Sequence, residues 1–198
     1  MRATKLSRSP GVVVAGDSDE ELVQRCRRGD TAAFRSLVAR YERPLYNAAY
    51  RVLGNADDAS DVTQTAFMEV AEHLDGYDSD RRFFSWLYRI ALNAALNVAR
   101  RNRRDGPEGA EDVESGSPSV APDTPESRLV ESEQAGRLQS TLMRLTVDHR
   151  AVLTLRHFAD CSYREIGRIL SLDEGVVKSR LFEARQRLRE LLRDLEPR

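Results

Sequence analysis

The sequence predicts an all-α protein made of two helical domains that a flexible acidic linker joins. Apolar side chains recur at three- and four-residue spacing along most of the chain, whereas strand patterns are almost absent. The stretch from Asp105 to Ser127 breaks this pattern with glycine and proline, and it carries seven acidic residues and no lysine or arginine. Because such a composition buries too little apolar surface to offset chain entropy, we expect a linker at 105–125 between domains at 19–104 and 126–198.

Composition and length exclude several classes of protein. The 198 residues are 40% hydrophobic and carry a net charge of -1, and no apolar run approaches the roughly 18 residues that span a bilayer. The apolar stretch after the basic N-terminus is shorter than that of a secretory signal. Cys26 and Cys161 are too few and too far apart for a disulfide scaffold. We therefore expect a cytoplasmic protein with no direct membrane insertion and with a disordered tail at 1–18.

Four helices are predicted before the linker, at about 19–28, 31–53, 57–74 and 83–101. Gly29 and Asp30 separate the first two helices, and Asp30 is suited to cap the second. Pro44 is a point where the second helix can kink or restart. The fourth helix places apolar side chains on one face: Phe83, Leu87, Ile90, Ala91, Ala94 and Val98.

Two further helices are predicted directly after the linker. Thr124 followed by Pro125 is typical of a cap and a first helical position, and it opens a helix to about Leu145. Asp148 is expected to cap the next helix, which ends near Phe158.

The last part of the chain has the pattern of a helix-turn-helix. Ser162 and Glu165 form a capping box that starts a short helix, and Asp173 is expected to cap the long helix that follows, to about Leu195. Gly167 is small where the two helices must cross. The buried stripe of the long helix is predicted to contain Val177, Leu181, Ala184, Leu188 and Leu191.

The first turn of that long helix then faces outward. A recognition helix presents such side chains to base edges in the major groove, where arginine and lysine pair with guanine and glutamate accepts from cytosine. The candidates are Glu174, Gly175, Val176, Lys178, Ser179 and Arg180. The alternative is an ordinary helical hairpin with a solvated charged face.

Aromatic side chains cluster before the fourth helix. Interleaved with arginines, they resemble a platform on which single-stranded bases stack. The cluster contains Tyr77, Phe83, Phe84 and Trp86 beside Arg81 and Arg82. Phe83 and Trp86, with Leu87, can equally be core residues, whereas Phe84 lies off the apolar face.

Enzyme chemistry has little support in the sequence. His157, Asp160 and Cys161 could mimic a nucleophile pair or part of a metal site, but no third ligand follows at a recognised spacing. We interpret these three residues as helix-end and loop positions. We expect no catalytic residue, no metal and no cofactor.

Several motifs together resemble regions 2 and 4 of the extracytoplasmic-function sigma factors, the minimal sigma subunits of bacterial RNA polymerase. The N-terminal motifs are Gly29-Asp30 with Ala33-Phe34, Arg51-Val52-Leu53-Gly54-Asn55, Asp61-Val62 with Gln64, and Trp86-Leu87-Tyr88-Arg89-Ile90-Ala91 with Asn93. The C-terminal motifs are Ser162-Tyr163, Glu165-Ile166 and Val177-Lys178-Ser179-Arg180-Leu181 with Ala184-Arg185. They occur in the family's order, with the linker between them.

The resemblance implies a promoter-specific initiation factor that acts with partners and is not itself an enzyme. The partners would be promoter DNA, core RNA polymerase through its beta and beta-prime subunits, and an anti-sigma factor. The implied polymerase-binding residues are Asp58, Asp61, Val62, Gln64, Thr65 and Phe67. Those for the minus-ten element are Tyr77, Arg81, Arg82, Phe84, Asn93, Asn97, Arg100 and Arg101. The outward-facing residues 174–176 and 178–180, joined by Arg185, would read the minus-thirty-five element.

Three positions depart from the family pattern. Thr65 stands where the family usually has glutamate, Ser171 replaces a common turn glycine, and Val176 replaces a common threonine. The remaining alternative is a helix-turn-helix regulator that acts without polymerase. Transcription with core polymerase separates the two functions.

Overall fold

The computed structural model describes residues 17–105 and 135–193, and these residues contain helices and turns without a strand. The α-helices are α1 (Asp19–Arg27), α2 (Thr31–Leu53), α3 (Ala56–His73), α4 (Phe83–Asp105), α5 (135–143), α6 (Val147–His157), α7 (Tyr163–Leu170) and α8 (Glu174–Arg193). A 3-10 turn, Leu74–Gly76, follows α3. The all-α prediction is confirmed. The predicted linker and helix start at Thr124 lie outside the described residues, apart from Asp105.

No helix among the described residues is long and apolar enough to cross a membrane.

α2 runs through Pro44 without restarting. Its predicted cap is present, since the Asp30 side chain accepts hydrogen bonds from the Ala32 and Ala33 amides. Leu37 and Leu45 are both fully buried, one on each side of the proline. A proline inside a helix costs about 3 kcal/mol, and burying two leucines recovers roughly that amount or more. The core therefore holds one continuous helix where the sequence allowed a break.

The cap of α6 differs from the predicted one. Thr146 is the N-cap, and its hydroxyl accepts a hydrogen bond from the His149 amide. Asp148 lies one residue inside α6, where its carboxylate is 3.5 Å from the Arg180 guanidinium of α8. The threonine hydroxyl competes well for the orphan amide because Thr146 has the extended backbone of a cap. Asp148 then stabilises the helix start from the first turn.

The N-terminal half is a core of α2, α3 and α4, with α1 packed on α2. The largest fully buried side chains of this half are Val23, Leu37, Leu45, Phe83, Leu87 and Leu92. Ser18, at the end of the predicted tail, caps α1 through a capping box with Glu21.

The C-terminal half packs α6 against α8, with α7 beside both. It also rests on the N-terminal half, because α7 packs against α4 and α6 packs against α2. Its buried centre consists of Leu142, Leu155, Ile166, Ile169, Leu181 and Leu191.

Candidate nucleic-acid interface

The turn between α7 and α8 has a fixed geometry. The Ser162 and Glu165 side chains form the predicted capping box at the start of α7. Ser171 ends α7 in the left-handed region, with φ 55°. A side chain on Gly167 would place its Cβ 2.6 Å from the Leu172 carbonyl oxygen, closer than two such atoms approach. The glycine therefore allows the chain to cross α7 at this point, which sets the direction in which α8 leaves.

The outer face of α8 carries the residues predicted to read bases. Glu174, Gly175, Val176, Lys178 and Ser179 are exposed, and Arg180 is half-buried. The Lys178 ammonium lies 3.0 Å from the Glu174 carboxylate, one helical turn away. The opposite face is buried at Val177, Leu181, Ala184 and Leu191, while Leu188 is half-buried. α8 thus has the one buried and one open face that a recognition helix requires.

Arg185 lies one turn further along α8. Its guanidinium lies 3.4 Å from the Nε2 atom of His157, which ends α6. Burial and the nearby Arg185 and Arg156 lower the pKa of His157, which favours the neutral ring as a hydrogen-bond acceptor. The histidine, which sequence reasoning placed only at a helix end, thus contacts a predicted DNA-binding arginine.

A polar stripe runs along the second half of α4. Asn93, Asn97, Arg100 and Arg101 are all exposed, at spacings of three and four residues that place them on one side of the helix. The Asn102 amide donates to the Asp58 carboxylate of α3 at 3.0 Å, which ties the end of α4 to its neighbour. These four residues share one side of α4 because the helix keeps its periodicity beyond the part that the core buries.

Hydrogen bonds from Arg27 and Tyr77 hold the loop before α4 in place. The Tyr77 side chain is 4% exposed, its hydroxyl donates to the Arg81 carbonyl, and burial raises its pKa to about 12. The Arg27 guanidinium of α1 donates to the backbone carbonyls of Leu74 and Tyr77. Arg81 and Arg82 remain exposed. The two guanidinium groups lie at the surface beside carboxylates, Arg81 at 3.2 Å from Asp78 and Arg82 at 2.7 Å from Glu165, whereas the Tyr77 ring belongs to the core.

The other aromatic candidates divide in the same way. Phe83 is 1% exposed and contacts the Tyr41, Tyr77 and Trp86 rings, so it is a core residue. Phe84 is half-buried, with its ring centroid 4.2 Å from that of Tyr88. Trp86 is also half-buried, so Phe84 and Trp86 are the two aromatic candidates of this helix that keep part of their rings open.

The candidate polymerase-binding residues lie on two sides of α3. Asp61, Gln64 and Thr65 are exposed and Asp58 is half-buried, whereas Val62 and Phe67 are buried in the core at 3% and 8%. Met68 is 56% exposed and was missed by sequence reasoning. Helical spacing could have identified Met68, because it follows Asp61 by seven residues and Gln64 by four and so lies on the same side of α3. The outer row of α3 thus combines polar groups with one flexible apolar side chain.

These features define an all-helical protein with a helix-turn-helix in its C-terminal half. The outer face of α8 is open in that half, and the N-terminal half has an exposed asparagine and arginine stripe on α4.

The family comparisons agree with this class. The family model Sigma-70 region 2 matches residues 37–105, and Sigma-70, region 4 matches residues 135–188. The ECF RNA polymerase sigma factor SigW of Bacillus subtilis (strain 168) is 34% identical over 179 residues, covering 87% of this chain and 96% of SigW. The ECF RNA polymerase sigma-E factor of Escherichia coli (strain K12) is 35% identical over 175 residues, covering 85% and 91%.

A solved structure has the same fold. The structure of CnrH in complex with the cytosolic domain of CnrY matches with a TM-score of 0.69 at 29% identity, covering 91% of this chain and all of CnrH as solved. The chain belongs to the extracytoplasmic-function sigma factors of RNA polymerase. Its function is promoter-directed transcription initiation with RNA polymerase.

Proposed function

We propose that the two halves read separate promoter elements while α3 binds the core polymerase. α8 reads the minus-thirty-five element through residues 174–176 and 178–180 and through Arg185. The loop residues Arg81 and Arg82, together with Phe84 and the α4 stripe, contact the minus-ten element. The observation that carries this division is the open face of α8, held in place by the Gly167 crossing.

Energetics require a partner for DNA opening. Separating about ten base pairs costs on the order of 14 kcal/mol, at ~1.4 kcal/mol per stacking step. One captured base and a few stacks return roughly 3–6 kcal/mol. A net charge of -1 adds little sequence-independent affinity for phosphates. The chain therefore opens promoters as a subunit of the polymerase, in the cytoplasm, and contributes binding and not catalysis.

The polymerase contact is assigned to the outer row of α3. Asp58, Asp61, Gln64 and Thr65 supply polar groups for the beta and beta-prime subunits, and Met68 supplies apolar area. Val62 and Phe67 are buried, and their packing in the core holds α3 in position. Thr65, which replaces a common family glutamate, leaves this row one negative charge short.

An anti-sigma factor is the expected regulator. The related CnrH was solved in complex with the cytosolic domain of CnrY. A comparable partner would inhibit this chain by covering the outer row of α3 or the face of α8.

Reconstituted transcription tests the function directly. Purified chain and core polymerase are incubated with genomic DNA, and transcript 5′ ends are sequenced. We expect new and reproducible start sites that share two upstream elements. A regulator of the alternative kind would shift DNA without polymerase and would leave the start sites of core polymerase unchanged, which would contradict the proposal.

A pair of variants tests the α3 assignment. Asp61→Arg reverses a charge in the outer row and should weaken core polymerase binding at least tenfold, which corresponds to about 1.4 kcal/mol. Glu42→Arg makes the same change on an exposed position of α2 and should leave binding intact. Equal losses in both variants would refute a specific role for α3.

A further inference from the structure

The basic residues predicted to read the minus-thirty-five element differ in what holds them. Lys178 lies 3.0 Å from a carboxylate of its own helix, and Arg180 lies 3.5 Å from the Asp148 carboxylate of α6. Within the part of the chain that the structure describes, Arg185 has no carboxylate partner, and its polar contact is the His157 ring at the end of α6. Arg185 is therefore the basic candidate of α8 whose positive charge no neighbouring carboxylate offsets.

The contact with His157 fixes one edge of the Arg185 guanidinium. The Nε atom and the Nη2 atom both lie 3.4 Å from the Nε2 atom of the ring. Arginine presents its five N–H donors in a rigid planar fork, so an acceptor shared by two of them sets the plane of the whole group. The Nη1 group has no partner among the described residues. The contact thus orients the fork and leaves donors for a base or a phosphate.

The ring can act as an acceptor only in its neutral form. Burial, followed by the charges of Arg185 and Arg156, lowers the pKa of His157 from its ordinary value of 6.5. The Arg156 guanidinium donates to the Cys161 carbonyl at 2.9 Å, so it has an acceptor of its own. Among the described residues, no charged group of α2, α4 or α7 acts on the ring. At neutral pH the ring is therefore uncharged and able to accept from Arg185.

We propose that His157 is a positioning residue for the minus-thirty-five element, which holds Arg185 in the orientation that reads DNA and releases it when the ring is protonated. An imidazolium has no acceptor, and it places a second cation beside the guanidinium. Promoter reading through Arg185 should therefore weaken as the pH falls below 6.5. The inference rests on the proposed function of Arg185, and it adds α6 to the elements that determine promoter choice.

A double-mutant cycle in the holoenzyme tests the positioning role. Binding to a promoter duplex found by the transcript sequencing is measured at neutral pH and fixed salt. Arg185→Ala should weaken binding about tenfold, and His157→Ala by about threefold to tenfold, since one hydrogen bond to a charged group is lost. The double variant should bind no more weakly than Arg185→Ala, because both changes remove the same contact.

The cycle separates failure of the inference from failure of the proposed function. Parent-like binding by Arg185→Ala would contradict the proposed function at this residue, and the inference with it. A loss for Arg185→Ala combined with parent-like binding by His157→Ala would overturn the inference alone. Fully additive losses in the double variant would also overturn it, since His157 would then act independently of Arg185.

A conservative variant distinguishes the acceptor from the bulk of the ring. His157→Gln supplies a neutral amide oxygen in place of Nε2 and should restore binding to the parent level. The matched control is His149→Gln on the same helix, whose ring lies 3.6 Å from Glu183 and does not contact Arg185. Its effect should add to that of Arg185→Ala. If His157→Gln folds, as judged by helical circular dichroism, and still binds as weakly as His157→Ala, the hydrogen-bonding role is refuted.

The pH profile provides a readout that a purely structural role would not change. The affinity of the parent is divided by that of His157→Gln between about pH 7.5 and pH 5.5, so that acid effects on the polymerase cancel. We expect this ratio to fall with pH, and His157→Lys to bind weakly throughout. A constant ratio would overturn the release on protonation. A rising ratio, or tighter binding by His157→Lys, would make the ring a phosphate contact and overturn the positioning role.

Discussion

The C-terminal half presents its candidate reading residues on the outer face of one helix, whereas the N-terminal half distributes them over a loop, an aromatic cluster and the end of α4. Residues 174–176, 178 and 179 are exposed together because the opposite face of α8 is packed against α6 and α7. In the N-terminal half Tyr77 is buried and Arg82 is paired with Glu165. One half therefore presents its candidate residues to solvent on a single helix, whereas a candidate arginine of the other half already pairs with a carboxylate of its neighbour. A face carried by one helix follows from its periodicity, but a site spread over a loop and a helix depends on tertiary contacts.

We expect the largest loss of stability from a substitution in the core of the N-terminal half. Phe83→Ala removes a fully buried ring in contact with three other aromatic rings, and should destabilise this half by about 3–5 kcal/mol. Chemical denaturation of the full chain measures the loss. Phe182→Ala removes an exposed ring and should change stability little. A loss of stability below about 1 kcal/mol for Phe83→Ala would contradict the assignment of the Phe83 ring to the core.

The crossing in the C-terminal half should give the next largest effect. Gly167→Ala introduces a Cβ 2.6 Å from a backbone oxygen, and should cost about 1–3 kcal/mol although alanine favours helices. The control is Gly136→Ala in α5, where nothing lies within 4 Å of the added atom. The control should be neutral or stabilising. Equal stabilisation in both variants, measured by thermal unfolding, would disprove the steric role of Gly167.

The open face of α8 can be tested without disturbing either core. Lys178→Ala should weaken binding to the minus-thirty-five element by about 1–2 kcal/mol, because a base or phosphate contact is lost. Arg187→Ala alters an exposed residue about two and a half turns further along α8, where the side chain pairs with Glu190. Binding of the holoenzyme to promoter DNA at fixed salt measures both. If Arg187→Ala were the more damaging change, the reading face would lie further along the helix.

The two capping boxes allow the smallest and sharpest comparison. Burial opposes ionisation of Glu165, but hydrogen bonds from Ser162 and Arg82 outweigh it and hold the pKa of this carboxyl below its ordinary value of 4.5. Since the folded pKa is the lower one, its stabilisation is complete above pH 4.5 and is lost as the pH falls through the lowered value. Glu165→Ala should cost about 1 kcal/mol at neutral pH and flatten the acid limb of the stability curve.

The matched variant is Glu21→Ala in the exposed capping box of α1. The Ser18 hydrogen bonds also lower the pKa of Glu21, but this carboxylate has no partner in the other half among the contacts of the described residues. We expect a smaller loss of stability than for Glu165→Ala. A larger loss would show that the Arg82 contact contributes nothing to the C-terminal box.

The sequence alone predicted the local features well. The caps at Asp30 and Ser162 are confirmed, as is the open face of α8, because each depends on residues within one or two helical turns. Thr146 replaced Asp148 as a cap because two good capping residues lie close together, and spacing alone does not choose between them. Pro44 was ambiguous because its local cost competes with burial of residues far away in the chain.

Periodicity and capping residues determined the helices and which of their faces are open to solvent, since these are properties of neighbouring residues. Tertiary structure decided which aromatic rings enter the core, because burial of Tyr77 and Phe83 depends on α1 and α2. It also decided that Arg82 meets Glu165 and Arg51 meets Phe158, pairs separated by 83 and 107 positions along the chain. Such contacts depend on how whole helices pack, and no short-range pattern encodes that packing.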